Sequence, residues 1–136
     1  MRDEEYLAFS IKTGRMGMHN YRELKIWQRS MDFVVKVYEI STVFPKEEKY
    51  GLTAQLRSCA VSVPSNISEG AGRGTNRQFK RFLEYSMGSI NEVQTQIELA
   101  CRINYLSKDV YESLIDEALQ IYKMILGFYN TLKDDE

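Results

Sequence analysis

Arg57, Arg73, Arg77, Lys80 and Arg81 are the side chains of this sequence best suited to chemistry, and the chemistry they suit is phosphate binding. Guanidinium and ammonium groups neutralise phosphate charge and release counterions, so a cluster of them is the electrostatic footprint of a nucleic-acid site. Only Glu69 offsets them between positions 57 and 81, which leaves that stretch at +4. Arg22 and Lys25 are further candidates nearer the start. From Phe82 onward four basic residues stand against ten acids, a balance of −6, and the whole chain carries −1. There is thus no general attraction to nucleic acid, but a compact fold would have a basic and an acidic end.

Other reactive residue types lack the partners their chemistry needs. His19 is the single histidine and precedes the first helix. That excludes the inward-facing Glu and Glu-x-x-His ligands of a di-iron bundle, and equally an Arg–His pair of a helical ribonuclease. Cys59 has no histidine to activate it as a nucleophile, and Cys59 and Cys101 are not spaced for a metal site. Both read as buried free thiols. No G-x-x-x-x-G-K-[ST] phosphate loop is present. Gly70, Gly72 and Gly74 echo a glycine-rich loop, but they follow a helical pattern and read as a helix stop. Tyrosines of the last helix have faces on which bases stack, yet at helical spacing they read first as core or subunit interface. No catalytic residue, metal or cofactor is expected, and the chain is not expected to be an enzyme.

The elements that would hold these residues are helices. The 136 residues make one domain: an extension over 1–19 and a bundle over 20–133. Asn20 and Glu23 form a capping-box pattern ahead of an apolar seam at Leu24, Trp27, Met31, Val34 and Tyr38. The first helix stops before Pro45. A second starts at once, with Leu52, Leu56, Ala60, Val63, Ile67 and Ala71 as its seam. The period holds phase through Pro64, which predicts one helix kinked there. Thr75 is placed to cap a third, with Phe79, Leu83, Ile90, Val93, Ile97 and Ala100 inward. Ser107 is placed to cap a fourth, with Tyr111, Ile115, Ala118, Tyr122, Ile125, Tyr129 and Leu132 inward, widened by Leu114, Ile121 and Phe128. No segment alternates with period two. The expected fold is all-α, an antiparallel up-down-up-down four-helix bundle. No apolar run is long enough for a membrane span, and the first residues lack the apolar core of a signal peptide, so a cytoplasmic location is expected.

The stretch S-V-P-S-N-I-S-E-G-A-G-R-G at 62–74 is unusual for a helical chain. Gln55, Cys59, Ser62, Asn66, Glu69 and Arg73 recur at helical spacing and make a polar seam beside the apolar one. Ser62 and Ser65 are placed to bond back to carbonyls that Pro64 releases. Glu69 and Arg73 are in the favourable order for an ion pair. Asn91, Gln94 and Glu98 on the third helix are the expected partners of the seam, and the pairing would fix register between helices or subunits.

The same stretch closely resembles the signature of the bacterial four helix bundle family, which includes proteins encoded within intervening sequences of large-subunit ribosomal RNA genes. L-K-I-W-Q at 24–28, F-P-K-E-E-K-Y-G-L-T-A-Q-L-R at 44–57 and G-S-I-N-E-V at 88–93 match as well. The resemblance covers about residues 20 to 133 and implies the antiparallel bundle. Related accessory proteins of diversity-generating retroelements form barrel-like pentamers linked to nucleic acid. The resemblance therefore implies a homo-oligomer, a pentamer, with RNA or DNA as partner. Those accessory proteins are strongly basic and this chain is not, which confines any such role to the region of Arg57 to Arg81. The competing reading is a scaffold that binds a partner protein through the fourth-helix stripe and the polar seam.

Overall fold

A computed structural model describes residues 19–134. The extension therefore lies, apart from His19, outside the described residues. Four α-helices make up the rest, α1 (Lys25–Ser41), α2 (Leu52–Ala71), α3 (Asn76–Arg102) and α4 (Lys108–Thr131).

The start of α1 departs from expectation. Asn20 does act as a cap, its Oδ1 accepting from the Arg22 amide at 3.2 Å, but what it caps is a 3-10 turn over Tyr21–Glu23. Leu24 is extended, and α1 begins only after it. The inward face also differs from the expected seam. Ile26, Ser30, Phe33, Val37 and Ser41 are buried, while Met31 and Tyr38 remain 40% and 42% exposed. Two serines, Ser30 and Ser41, interrupt the apolar pattern of the inner face. Their hydroxyls are satisfied within the helix, Ser30 donating to Ile26 O at 2.6 Å and Ser41 to Tyr38 O at 3.2 Å. A helical backbone carbonyl can carry this second bond, so a serine costs little in a core.

The second helix begins later than expected as well. A 3-10 turn over Lys46–Glu48 precedes it, and Glu48 Oε1 accepts from the first amide of α2, Leu52 N, at 3.2 Å. Its inner seam is the expected one, with Leu52, Leu56, Ala60, Val63, Ile67 and Ala71 all buried. The helix passes through Pro64 as one element. Gly70 lies inside it, so the helix stop belongs to Gly72 and the residues beyond.

The Thr75 hydroxyl accepts from Gln78 N at 3.1 Å and opens α3 as expected. All six positions of its expected seam are buried, joined by Ser86 and Met87. Asn104, with φ of 67°, closes the helix in the left-handed conformation that asparagine tolerates best after glycine. Ser107 caps α4 through Val110 N at 3.2 Å. On α4 the deepest residues are Leu114, Ala118, Ile121 and Ile125. Tyr111, Ile115, Tyr122, Phe128 and Tyr129 are half-buried at its flanks, and Leu119 and Leu126 are exposed. The wide stripe is thus a one-sided face with tyrosines at its edges.

The most extensive packing is between α2 and α3, and of the helix pairs that lie side by side α1 and α4 pack least. Paired atoms show how α2 and α3 run. Cys59 meets Glu92 and Gln96, Ser62 meets Ser89, and Val63 O accepts from Ser86 Oγ. Numbers rise along α2 as they fall along α3. Gly70 sits directly against α3, since a Cβ there would lie 2.7 Å from Phe82 Cβ and 2.9 Å from Phe79 Cδ1.

Candidate nucleic-acid interface

The start of α1, the end of α2, the start of α3 and the end of α4 meet at one end of the bundle. His19 N donates to Ala71 O at 3.4 Å, and Asn76 Nδ2 donates to Lys133 O at 2.9 Å. The His19 ring packs 5.0 Å from Phe79 and 6.1 Å from Phe128, between α3 and α4 rather than clear of the bundle.

This end collects six of the seven cations singled out in the sequence. Arg77 and Lys25 are exposed, and neither side chain has a partner among the described residues. Arg73 is 3.0 Å from Glu69, in the expected i,i+4 pair, and its guanidinium also covers the Phe82 ring at 4.7 Å. Lys80 reaches Asp134 at 3.4 Å and the Tyr129 ring at 4.7 Å. Arg81 Nη1 is 3.5 Å from the Tyr85 hydroxyl. That bond, with the charge of nearby Glu84, holds its proton more firmly than usual. Arg22 stacks on Tyr21 and Trp27 at 5.0 and 6.0 Å. Exposed ion pairs of this kind are worth little on their own, so Arg73 can exchange Glu69 for a phosphate at small cost.

Arg57 stands apart. Its Nε donates to Ser41 Oγ at 2.8 Å, its Nη2 donates to Tyr38 O at 3.3 Å, and its guanidinium lies 4.7 Å over the Tyr38 ring. It ties the last turn of α1 to α2. Adjacency in the sequence grouped it with the others; the helix between Arg57 and Arg73 separates them, since 1.5 Å per residue carries the chain roughly 24 Å.

The polar seam divides in the same way. Ser62 Oγ lies 2.6 Å from both Cys59 O and Ser89 Oγ. With one hydrogen to give, it donates to the carbonyl and accepts from Ser89. The bond back along the helix is therefore made by Ser62, while Ser65 is exposed and its hydroxyl has no partner among the described residues. Asn66 Nδ2 donates to Ser62 O at 2.8 Å. Gln55 is exposed, as are Glu69 and Arg73. The partners on α3 are Ser86, Ser89, Glu92 and Gln96, and not Asn91, Gln94 and Glu98. An apolar stripe has two polar flanks, and only packing decides which one faces α2. Asn91 and Gln94 lie on the other flank, and Glu98 pairs with Arg102 at 2.7 Å.

The Cys59 thiol is half-buried, donates to Glu92 Oε2 at 2.9 Å and has its pKa pushed up to about 11, by burial first and by Glu92 second. A thiol held protonated in this way is a poor nucleophile. Among the described residues no group of His, Cys, Asp and Glu side chains is arranged to hold a metal, and no helix is long and apolar enough to cross a membrane.

Sequence reading missed Tyr85 and Phe82. Tyr85 is 48% exposed and meets Phe82 edge to face at 5.6 Å and 87°. Arg77, Arg81 and Tyr85 stand four residues apart, a period the sequence carries but that attention to the apolar seam passes over.

Comparison with known proteins agrees with this architecture. No curated protein matches the chain. A solved structure from Bacteroides thetaiotaomicron, a protein with unknown function from the S23 ribosomal protein family, superposes with a TM-score of 0.72. It is 22% identical and covers 77% of this chain and 95% of its own. The family model described as 23S rRNA-intervening sequence protein matches residues 22–127, from the capped turn ahead of α1 to within the last turns of α4. The chain belongs to the 23S rRNA-intervening sequence protein family.

Proposed function

We propose that this protein is a non-catalytic nucleic-acid-binding accessory protein that works as a homo-oligomer, with RNA or DNA phosphates held at the basic end of the bundle. The observation that carries the reading is the convergence of Arg73, Arg77, Lys80 and Arg81 with Arg22 and Lys25 at one end, where Arg77 and Lys25 are unengaged among the described residues. A single copy offers few phosphate contacts and has a net charge of −1. Assembly multiplies the contacts, and linked weak sites bind together far more tightly than each alone. The resemblance to retroelement accessory proteins implies a pentamer.

A second reading, a protein-interaction scaffold, is favoured by a different surface. Met31, Val35 and Tyr38 leave an exposed apolar row on α1. Charge reversal separates the two. In the double variant Arg77→Glu/Arg81→Glu, nucleic-acid affinity should fall by at least tenfold while the oligomer, measured by light scattering, stays intact. The slope of log affinity against log salt should also become shallower, since each phosphate contact contributes about one unit. Unaltered affinity would overturn the assignment of this end, and no binding to RNA or DNA even near 50 mM salt would favour the scaffold.

A further inference from the structure

We propose that the basic end selects single-stranded over duplex nucleic acid, with one unpaired base stacked on Tyr85 and the adjoining phosphates on Arg77 and Arg81. The inference rests on the nucleic-acid reading above and adds to it the class of strand.

Three features of the surface lead to it. Arg77, Arg81 and Tyr85 form one exposed row on α3, each step about 6 Å along the helix axis. Two cations and an aromatic face thus follow one another along a line. The aromatic ring is also held in place. Phe82 packs against it at right angles, Arg73 covers Phe82, and Gly70 lets Phe82 sit directly on α2. Arg81 reaches the phenol oxygen from the preceding turn. A ring fixed before binding loses little freedom when a base settles on it.

The third feature is the weakness of the field. With a net charge of −1 and Glu69, Glu84 and Asp134 close to the cations, long-range attraction is small. A contact that salt does not screen has to contribute, and an exposed tyrosine supplies one. Stacking needs an open base face. Every base in a single strand has one, whereas in a duplex the faces are covered by neighbouring pairs and must be unstacked first. The same row of side chains therefore gains more from a single strand.

The test uses the full chain with fluorescein-labelled oligo(dT) and oligo(rU) of about 15 nucleotides and a duplex of equal length, near 100 mM salt. The single strands should bind about tenfold or more tighter than the duplex. Tyr85→Ala should weaken single-strand binding roughly tenfold, leave duplex binding within about twofold and leave the salt slope unchanged, and Tyr85→Phe should restore it. Far-UV circular dichroism of each variant confirms the fold. Equal or tighter binding of the duplex overturns the inference, as does a Tyr85→Ala protein that holds single strands as well as the parent. In both of those cases a loss caused by Arg77→Glu/Arg81→Glu would leave the nucleic-acid reading standing. No binding of any probe overturns the two together.

Discussion

Replacing Gly70 by alanine tests the close approach of α2 to α3. A methyl group there would sit 2.7 Å from Phe82 Cβ, 2.9 Å from Phe79 Cδ1 and 3.3 Å from Phe79 O. Non-bonded carbons rest at about 3.5–4.0 Å. The nearest atom is a Cβ, fixed to the α3 backbone, so rotation of a side chain cannot relieve the clash. The helices have to part by roughly 1 Å at this point, which costs about 1–3 kcal/mol. Against this, alanine is the better helix former by up to about 1 kcal/mol, and by less in the last turn of a helix. The expected net loss is about 1–2 kcal/mol, a fall in Tm of roughly 4–8 °C in a domain of this size. Gly88 provides the control. It lies within α3, and a Cβ there meets nothing within 4 Å. Gly88→Ala should stabilise by about 0.5–1 kcal/mol. Urea denaturation of both variants, with m-values unchanged, measures the contrast directly. If Gly70→Ala matches Gly88→Ala, the α2–α3 contact yields freely and the close-packing argument is refuted.

Ser62→Ala and Ser89→Ala should each cost about 1 kcal/mol, and a double-mutant cycle should return a coupling of about 0.5–1.5 kcal/mol; a coupling near zero would mean the hydroxyl pair does not hold α2 to α3. Arg57→Ala should lower stability by about 1 kcal/mol through the lost bonds to Ser41 and Tyr38, yet leave nucleic-acid affinity unchanged, the reverse of Arg77→Glu; a tenfold affinity loss would return Arg57 to the binding group. The Cys59 thiol should resist alkylation at pH 9 in the folded protein. Its pKa is about 11 when folded, against 9.0 ordinarily. Between those values the folded state binds more protons than the unfolded one, so stability falls as pH rises through that window. Tyr105 beside Glu48, and Tyr111 through burial and Glu98, shift the same way. Glu92→Gln should lower the thiol's pKa and speed its alkylation, and equal rates in folded and urea-unfolded protein would contradict the assignment.

Local patterning along the chain was enough for the helices and most of their inner faces. The seams of α2 and α3 were legible because their buried positions are almost all apolar, and burial of such a stripe is the main force holding a helix in place. Thr75 and Ser107 were legible as caps because their hydroxyls serve amides three residues away, which is local chemistry. The inner face of α1 was not, since Ser30 and Ser41 sit where an apolar residue was sought and satisfy themselves on the helix carbonyls. The tertiary structure alone decided which flank of α3 meets α2, because a stripe in sequence has two equivalent edges. It alone removed Arg57 from the basic group, since neighbours along a chain become distant when a helix lies between them. It also gave Gly70 its place: the sequence marks a residue with no side chain, and only the partner helix shows that a side chain there has no room.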